Sequence, residues 1–221
     1  MCWIGYFWAM DIYQIIIDAY KGYANYLWNE IVNPTWTNYF YALIAVSLLF
    51  FVWEAVFPWR KNQKLIKKDF FLDVFYMFFN FFLFSLLIYN AVSDVAVNYF
   101  NWILQEYFGL SNLVAIQVHQ FNVATQLIIL FVLRDFLHWN IHRLLHRVPF
   151  LWQFHKVHHS AKEMGFATHL RYHWMENVLY KSIEYIPLAM IGFGIDQFFI
   201  VHLFAFSVGH FNHANIKIPL G

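Results

Sequence analysis

Asp135-Phe-Leu-His138-Trp-Asn-Ile-His142-Arg-Leu-Leu-His146, then Arg147-Val-Pro149, then Phe150-Leu-Trp-Gln-Phe-His155-Lys-Val-His158-His159, is the stretch that decides this chain. It holds six of the twelve histidines, and eleven of the twelve lie between His138 and His213. Residues four apart on a helix fall on one face, about 40° round from each other. His138, His142 and His146 therefore make one stripe. Pro149 suits the first turn of a new helix, since the N–H it lacks would go unpaired there. His155, His158 and His159 make a second stripe on that next helix. A single histidine on an apolar face is usually a satisfied core residue. Six at i, i+3 and i+4 spacings read as a wall of metal ligands.

Composition sets the surroundings of that wall. The 221 residues are 61% hydrophobic and 23% aromatic, only 12% are charged, and the mean hydropathy is +0.47. A soluble domain carries about 25% charged residues, so the chain reads as an all-α integral membrane protein. The one cysteine, Cys2, excludes an internal disulfide framework and a thiolate-ligated metal, which leaves nitrogen and oxygen ligands. The basic residues are scattered among apolar runs, so no nucleic-acid surface is expected.

One domain covers residues 1–221. Residues 1–35 are apolar and aromatic but carry Asp11, Asp18, Lys21 and Glu30, and no basic region or cleavage site of a signal peptide precedes them. They read as an amphipathic helix in the membrane interface, closed by Pro34. Three spans are expected within 36–133. Trp36 to Trp53 has no charge, and a bilayer core needs roughly 20 such residues. Arg60, Lys61, Lys64, Lys67 and Lys68 then crowd a short loop, which the positive-inside rule puts in the cytoplasm. A second span runs from Val74 to Val92, followed by a far-side loop with Asp94 and Glu106. Ser111 is the expected N-cap of a third apolar run, from about Leu113 to Leu133, whose helix continues past Arg134 towards His146. Parity brings the histidines of 134–175 back to the cytoplasmic side. In 176–221 two shorter runs, Val178 to Ile191 and Gln197 to Val208, form a hairpin that returns His210 and His213 to the same face. This gives about four to five membrane helices under a cytoplasmic, histidine-rich helical cap. Glu184 lies inside the hairpin, where an ionisable group belongs in the protein interior or a water-lined cavity.

The candidates outnumber the four ligands of one structural zinc. His169, His173, His210 and His213 join the boxes, so two metal ions are expected, with some histidines supporting the ligands rather than binding. Carboxylates near the stripe are few, chiefly Asp135 and Glu176, which argues against a carboxylate-rich di-iron bundle. Asp135, two turns before His142, is placed to accept that ring's second N–H. His119 and His202 lie apart, one on the far side and one in an apolar helix.

His142-Arg143-x-x-His146 followed by His155-x-x-His158-His159, after Asp135 and a membrane helix, resembles the fatty acid hydroxylase superfamily, which includes sterol desaturases and lipid hydroxylases. The resemblance covers roughly residues 120–221. It implies that His142, His146, His155, His158 and His159 bind two metals, usually iron. Arg171-x-His173-x-x-Glu176 is similar to the family's segment after the second box, with Trp174 where proline is common, and His213 resembles a further ligand. By the same pattern His173 counts among the ligands, while His138, Asp135, His169, His210 and Glu176 support them. The family's later H-x-x-H-H box does not occur before Gly221, so a truncated chain, weak in metal and inactive, is expected.

The resemblance implies a membrane-bound, non-haem di-iron oxidoreductase that hydroxylates or desaturates a lipid C–H bond with O2. It also implies an external electron donor, cytochrome b5-like or ferredoxin-like, because no flavin or haem motif occurs in the chain. Zinc suits the same imidazoles. The location implied is the bacterial inner membrane or the endoplasmic reticulum, with the boxes in the cytoplasm. Two rival readings are a bis-histidine haem electron carrier, to which His158-His159 at the membrane edge fit poorly, and a metal transporter, whose ligands belong at the bilayer midplane.

Overall fold

The structure, a computed structural model, describes residues 2–109 and 118–217. The helices are α1 (Cys2–Val32), α2 (Tyr39–Val56), α3 (Phe70–Phe78), α4 (Asn90–Phe108), α5 (Val123–Arg147), α6 (Pro149–His155), α7 (Trp174–Tyr180), α8 (Ile186–Ile191) and α9 (Ile195–His213). Among the described residues the only β pairing is an isolated bridge between Pro58 and Ile216. Among the described residues two helical stretches are long and apolar enough to cross a membrane, Tyr39–Val56 and the unbroken Phe70–Phe108. Most of the apolar segment in each is not buried inside the protein. Large apolar side chains such as Leu48, Leu49, Val52, Phe71 and Phe75 point outward from them, as lipid-facing residues do.

The chain divides into two compact units. The first comprises Met1–Thr35 and Phe79–Leu113, in which α1 packs on α4. Its helix is wound wide, with π turns at Phe79–Leu83 and Ser85–Tyr89. Such turns loosen the backbone ladder, and two α1 hydroxyls answer it: Tyr20 donates to the Leu87 carbonyl at 2.6 Å and Tyr23 to the Phe81 carbonyl at 3.3 Å.

Helical structure continues past Val92, where the sequence suggested a loop. Asp94 and Glu106 both lie on α4. No glycine or proline interrupts 90–108, so the helix ends only at Gly109, whose φ of 64° is the left-handed conformation that glycine adopts without a steric cost.

The second unit comprises Trp36–Phe78 and Val114–Gly221 and contains every box histidine. Asn38 and Asn122 cap α2 and α5 by accepting from Tyr41 N and Thr125 N at 2.8 and 2.9 Å. The α5 helix thus begins at Val123, ten residues later than the apolar run suggests, because Asn122 offers its side chain to the open helix end. Ser111 and residues 113–117 lie outside the described residues. From Val123 the helix does pass Arg134 unbroken to Arg147.

Leu130, Leu188, Phe193 and Val201 form the core that joins α5 to the hairpin of α8 and α9. A second cluster of Phe50, Phe166, Ala167 and Ile216 ties α2 to the turn before Leu170. The loop 57–69 is pinned from inside. Lys67, buried, pairs with buried Glu54 at 2.9 Å. Glu54 also accepts from Asn215 N, and Lys217 N donates to the Phe57 carbonyl at 3.0 Å. Of the five basic residues in this loop, Lys67 is therefore internal, and Arg60, Lys61, Lys64 and Lys68 are exposed.

Candidate metal centre

Helix α5 presents His142 and His146 one turn apart. Val148 is extended and Pro149 starts α6, so the chain folds back and delivers His155. His155 ends that helix, which corrects the reading of a second helical stripe. His158 and His159 sit on a separate tight turn, His158–Ser160. The three rings still converge, with His155 buried, His158 half-buried and His159 exposed.

Four rings make the first group. His142 Nε2 lies 3.2 Å from His146 Nε2, His146 Nε2 3.2 Å from His155 Nε2, and His155 Nε2 3.2 Å from His159 Nε2. The ligand nitrogens of His142, His146 and His155 all lie within 4.8 Å of one another. His155 is buried, and its Nδ1 faces Glu176 Oε2 at 2.9 Å, with Glu176 equally buried. A carboxylate oxygen accepts, so Nδ1 carries the hydrogen. The Trp152 indole lies against both His146 and His159, with ring centroids 5.5 Å away in each case.

The second group joins the boxes to α9. His158 Nε2 and His213 Nε2 are 3.2 Å apart. His158 Nδ1 donates to the Arg171 carbonyl at 3.2 Å, and His213 Nδ1 donates to the Gly209 carbonyl at 2.8 Å. His169 and His210 stand behind them, with Nδ1 atoms 3.4 Å apart, and His210 Nε2 lies 3.1 Å from Ser47 Oγ on α2. Gly209 is required here: a Cβ at that position would come within 2.1 Å of the His169 ring. The stacked rings of His155 and His158, 5.5 Å apart, connect the two groups.

Burial above all keeps His142, His158, His210 and His213 neutral. Burial, then the facing His155 and His146, lowers the His142 pKa to about 4. Burial, then His213, lowers that of His158 to about 3. Burial and His213 take His210 to about 3, and burial lowers His213 against the opposing pull of the Gly209 carbonyl. At neutral pH His158 and His213 thus hold their single hydrogens on Nδ1, already committed to carbonyls. Their Nε2 lone pairs face each other at 3.2 Å with no hydrogen between them. Two acceptors at that distance repel unless a cation lies between. Nitrogens bound to one ion at about 2.0–2.1 Å stand roughly 3.3 Å apart, so the donor set fits metal ions.

Three residues do not join the groups. His138, expected to support the ligands, instead meets Glu184 Oε2 at 3.1 Å and stacks on Tyr180 at 4.6 Å, and Glu184 also pairs with Arg134 at 2.9 Å. Asp135 is exposed, and no described contact ties it to His142. Its α5 position points it outward, and Glu176 and Glu184 are the carboxylates that reach ring nitrogens. His173 caps α7, accepting from Met175 N at 3.2 Å, and its ring lies on Phe154. As the N-cap it has its Nδ1 occupied, and no described contact reaches another imidazole. The side chain of His119 lies outside the described residues, and His202 packs on Tyr39. The sequence singled out Arg171 only as part of the segment after the second box, and no spacing signal marked its buried partners Asp73 and Thr168.

Comparison with known proteins agrees with this geometry. Residues 127–221, which include every box histidine, match the fatty acid hydroxylase family. The ornithine lipid hydroxylase OlsE of Rhizobium tropici is 26% identical over 102 residues, which cover 46% of this chain and 31% of that protein. The chain therefore spans about a third of the length of this curated relative. No solved structure matches significantly. Over residues 127–221 the chain is thus similar to the fatty acid hydroxylase family.

Proposed function

We propose that the protein is a membrane-bound, non-haem di-iron oxidoreductase that hydroxylates or desaturates a lipid C–H bond with O2. The observation that carries this reading is the facing pair of Nε2 lone pairs on His158 and His213, beside the second convergence of His142, His146, His155 and His159. The His158–His213 pair, with its hydrogens committed to carbonyls, suits one cation, and the four imidazoles gathered about His155 suit a second. When bound, iron supplies the O2 activation and one-electron chemistry that imidazole and carboxylate groups lack.

The chain's own part is to hold and orient. Glu176 fixes the tautomer of His155 and strengthens its donation, and the carbonyls of Arg171 and Gly209 do the same for His158 and His213. Phe50, Phe166 and Phe206 pack around His210 and exclude water on that side. Such aromatic walls suit a lipid chain. The OlsE likeness makes an amino-acid-containing lipid a reasonable first substrate to test. We place the imidazoles on the cytoplasmic side, under four to five membrane helices, because Arg60, Lys61, Lys64 and Lys68 are exposed in the loop that docks on the end of α9. Electrons would come from an external one-electron carrier. A haem carrier draws no support from ring nitrogens packed 3.2 Å apart, since a porphyrin needs ligands on opposite faces of its plane.

The test is anaerobic iron loading in lipid of the purified protein, with any residues that follow Gly221 included, followed by reductant, O2 and membrane lipids. Two irons per chain, no Soret band, and a lipid product that gains one oxygen or loses two hydrogens are expected. A Soret band, or no bound metal, would overturn the reading.

A further inference from the structure

Outside the imidazole groups lies a closed network of buried charge. Arg171 and Asp73 are each 2% exposed. Arg171 Nε donates to Asp73 Oδ1, its Nη1 to Asp69 Oδ2 at 3.3 Å, and its Nη2 to the Asp69 carbonyl at 3.5 Å. The other Asp73 oxygen accepts from Thr168 Oγ1 at 3.1 Å, and Thr168 in turn accepts from Gly165 N at 3.3 Å. Asp73 lies in the first turn of α3, at the start of the long apolar helix, whereas Arg171 follows the tight turn Phe166–Leu170.

Arg171 has a second attachment. Its carbonyl is the acceptor for His158 Nδ1. The residue is extended, at φ −76° and ψ 90°, so no helical ladder fixes that carbonyl's direction. Two turn bonds hold it locally, Arg171 N to the Thr168 carbonyl and Tyr172 N to the Leu170 carbonyl, each at 3.1 Å. The side chain, held at three nitrogens by Asp69 and Asp73, ties that turn to a distant part of the chain. A buried ion pair is a poor way to gain stability, because desolvation offsets most of the attraction, but it is a sound way to hold one geometry.

We propose that Asp73 and Arg171 are positioning residues for the metal centre: the Asp73–Arg171 clamp sets the carbonyl that holds His158 in its Nδ1–H tautomer, with Nε2 turned to His213. The part of this that concerns metal rests on the function proposed above. The part that concerns the tautomer does not.

The experiment is nitrogen NMR of the imidazoles in the full chain in lipid, for the wild type, Asp73→Asn and Thr168→Val, with Co²⁺ titration of each. In the wild type His158 is the Nδ1–H tautomer. In Asp73→Asn it populates both tautomers, while His213, held by Gly209, does not change. Co²⁺ affinity at the site that includes His158 falls about 10- to 100-fold, as when a partner of a ligand histidine is lost. Thr168→Val removes the hydrogen bond to Asp73 and the acceptor of Gly165 N but leaves the ion pair, so it shifts His158 the same way by less. It also serves if Asp73→Asn fails to fold. An unchanged His158 in the folded variants overturns the proposal, and so does a change in His158 and His213 together, which would mark general loosening. A tautomer change in a protein that binds no Co²⁺ would keep the clamp and sink the metal reading.

Discussion

Helix α5 carries histidines at three successive i, i+4 positions, and the two ends of that stripe have different surroundings. His138 lies in a closed set: one carboxylate, Glu184, shared with one guanidinium, Arg134, and a flat ring, Tyr180, beneath the imidazole. Every charge there has its opposite. One and two turns later, His142 and His146 face other imidazoles at 3.2 Å, and the carboxylate beside their group, Glu176, reaches His155 from behind. That set brings ring nitrogens face to face with no carboxylate between them. Helical spacing puts a residue on a face, but its partners decide whether it completes an ion pair or waits for an ion.

The largest effect that would break this contrast comes from His155. Its Nε2 is within 3.2 Å of two other ring nitrogens, and its Nδ1 pairs with buried Glu176. His155→Ala is expected to abolish metal binding by the first group. Leaving Glu176 without a partner should also cost about 3–5 kcal/mol. Elemental analysis and thermal unfolding read both effects. Full metal content in this variant would show that the first group is not a ligand set.

Next come the two carboxylates. Glu176→Gln should lower metal affinity about 10- to 100-fold with little loss of structure. Glu184→Gln should do the reverse, lowering stability by up to roughly 3 kcal/mol while metal affinity holds. Isothermal titration and melting curves separate the two, and a swap of their effects would erase the distinction drawn between the ends of the stripe.

Acid sharpens it further. The rings of His142 and His158 have pKa values lowered to about 4 and about 3, against 6.5 in an unfolded chain. The unfolded state therefore binds protons first as pH falls. Stability from these rings is level above about pH 6.5 and drops from there towards about pH 4, and protons compete with metal for the same nitrogens. Metal content followed down this range should fall before helicity is lost. Metal retained well below pH 4 would contradict ligation by these nitrogens.

Much of the centre was legible in the sequence because histidine spacing is a local signal. The i, i+4 step of His142 and His146 and the N1 position of Pro149 follow from helix geometry alone. The tight turn at His158 was not legible, since no glycine or proline marks it and only tertiary contacts bend the chain there. Asp135 has the spacing of a partner and lacks the direction, whereas Glu184 reaches His138 from another element, 46 residues away. The start of α5 depended on Asn122, a cap inside an apolar run, and the length of the Phe70–Phe108 helix on the absence of a breaker before Gly109. The clamp of Arg171 on Asp73 joins residues 98 apart, and no periodicity carries that information.

The smallest expected effect is the sharpest test of the contrast. His138→Phe keeps a flat ring on Tyr180 and gives up only the contact with Glu184, which retains Arg134. The His138 side chain is 45% exposed, so solvent weakens the lost charge contact. The cost should be about 1 kcal/mol or less, and metal content and affinity should be those of the wild type. His142→Phe, one turn further on, swaps the same ring for the same ring and removes a nitrogen from the first group. Metal affinity should fall in that variant alone. If the two substitutions weaken metal equally, the ion pair at Glu184 and the imidazole groups act as one unit, and the stripe has no division at His138.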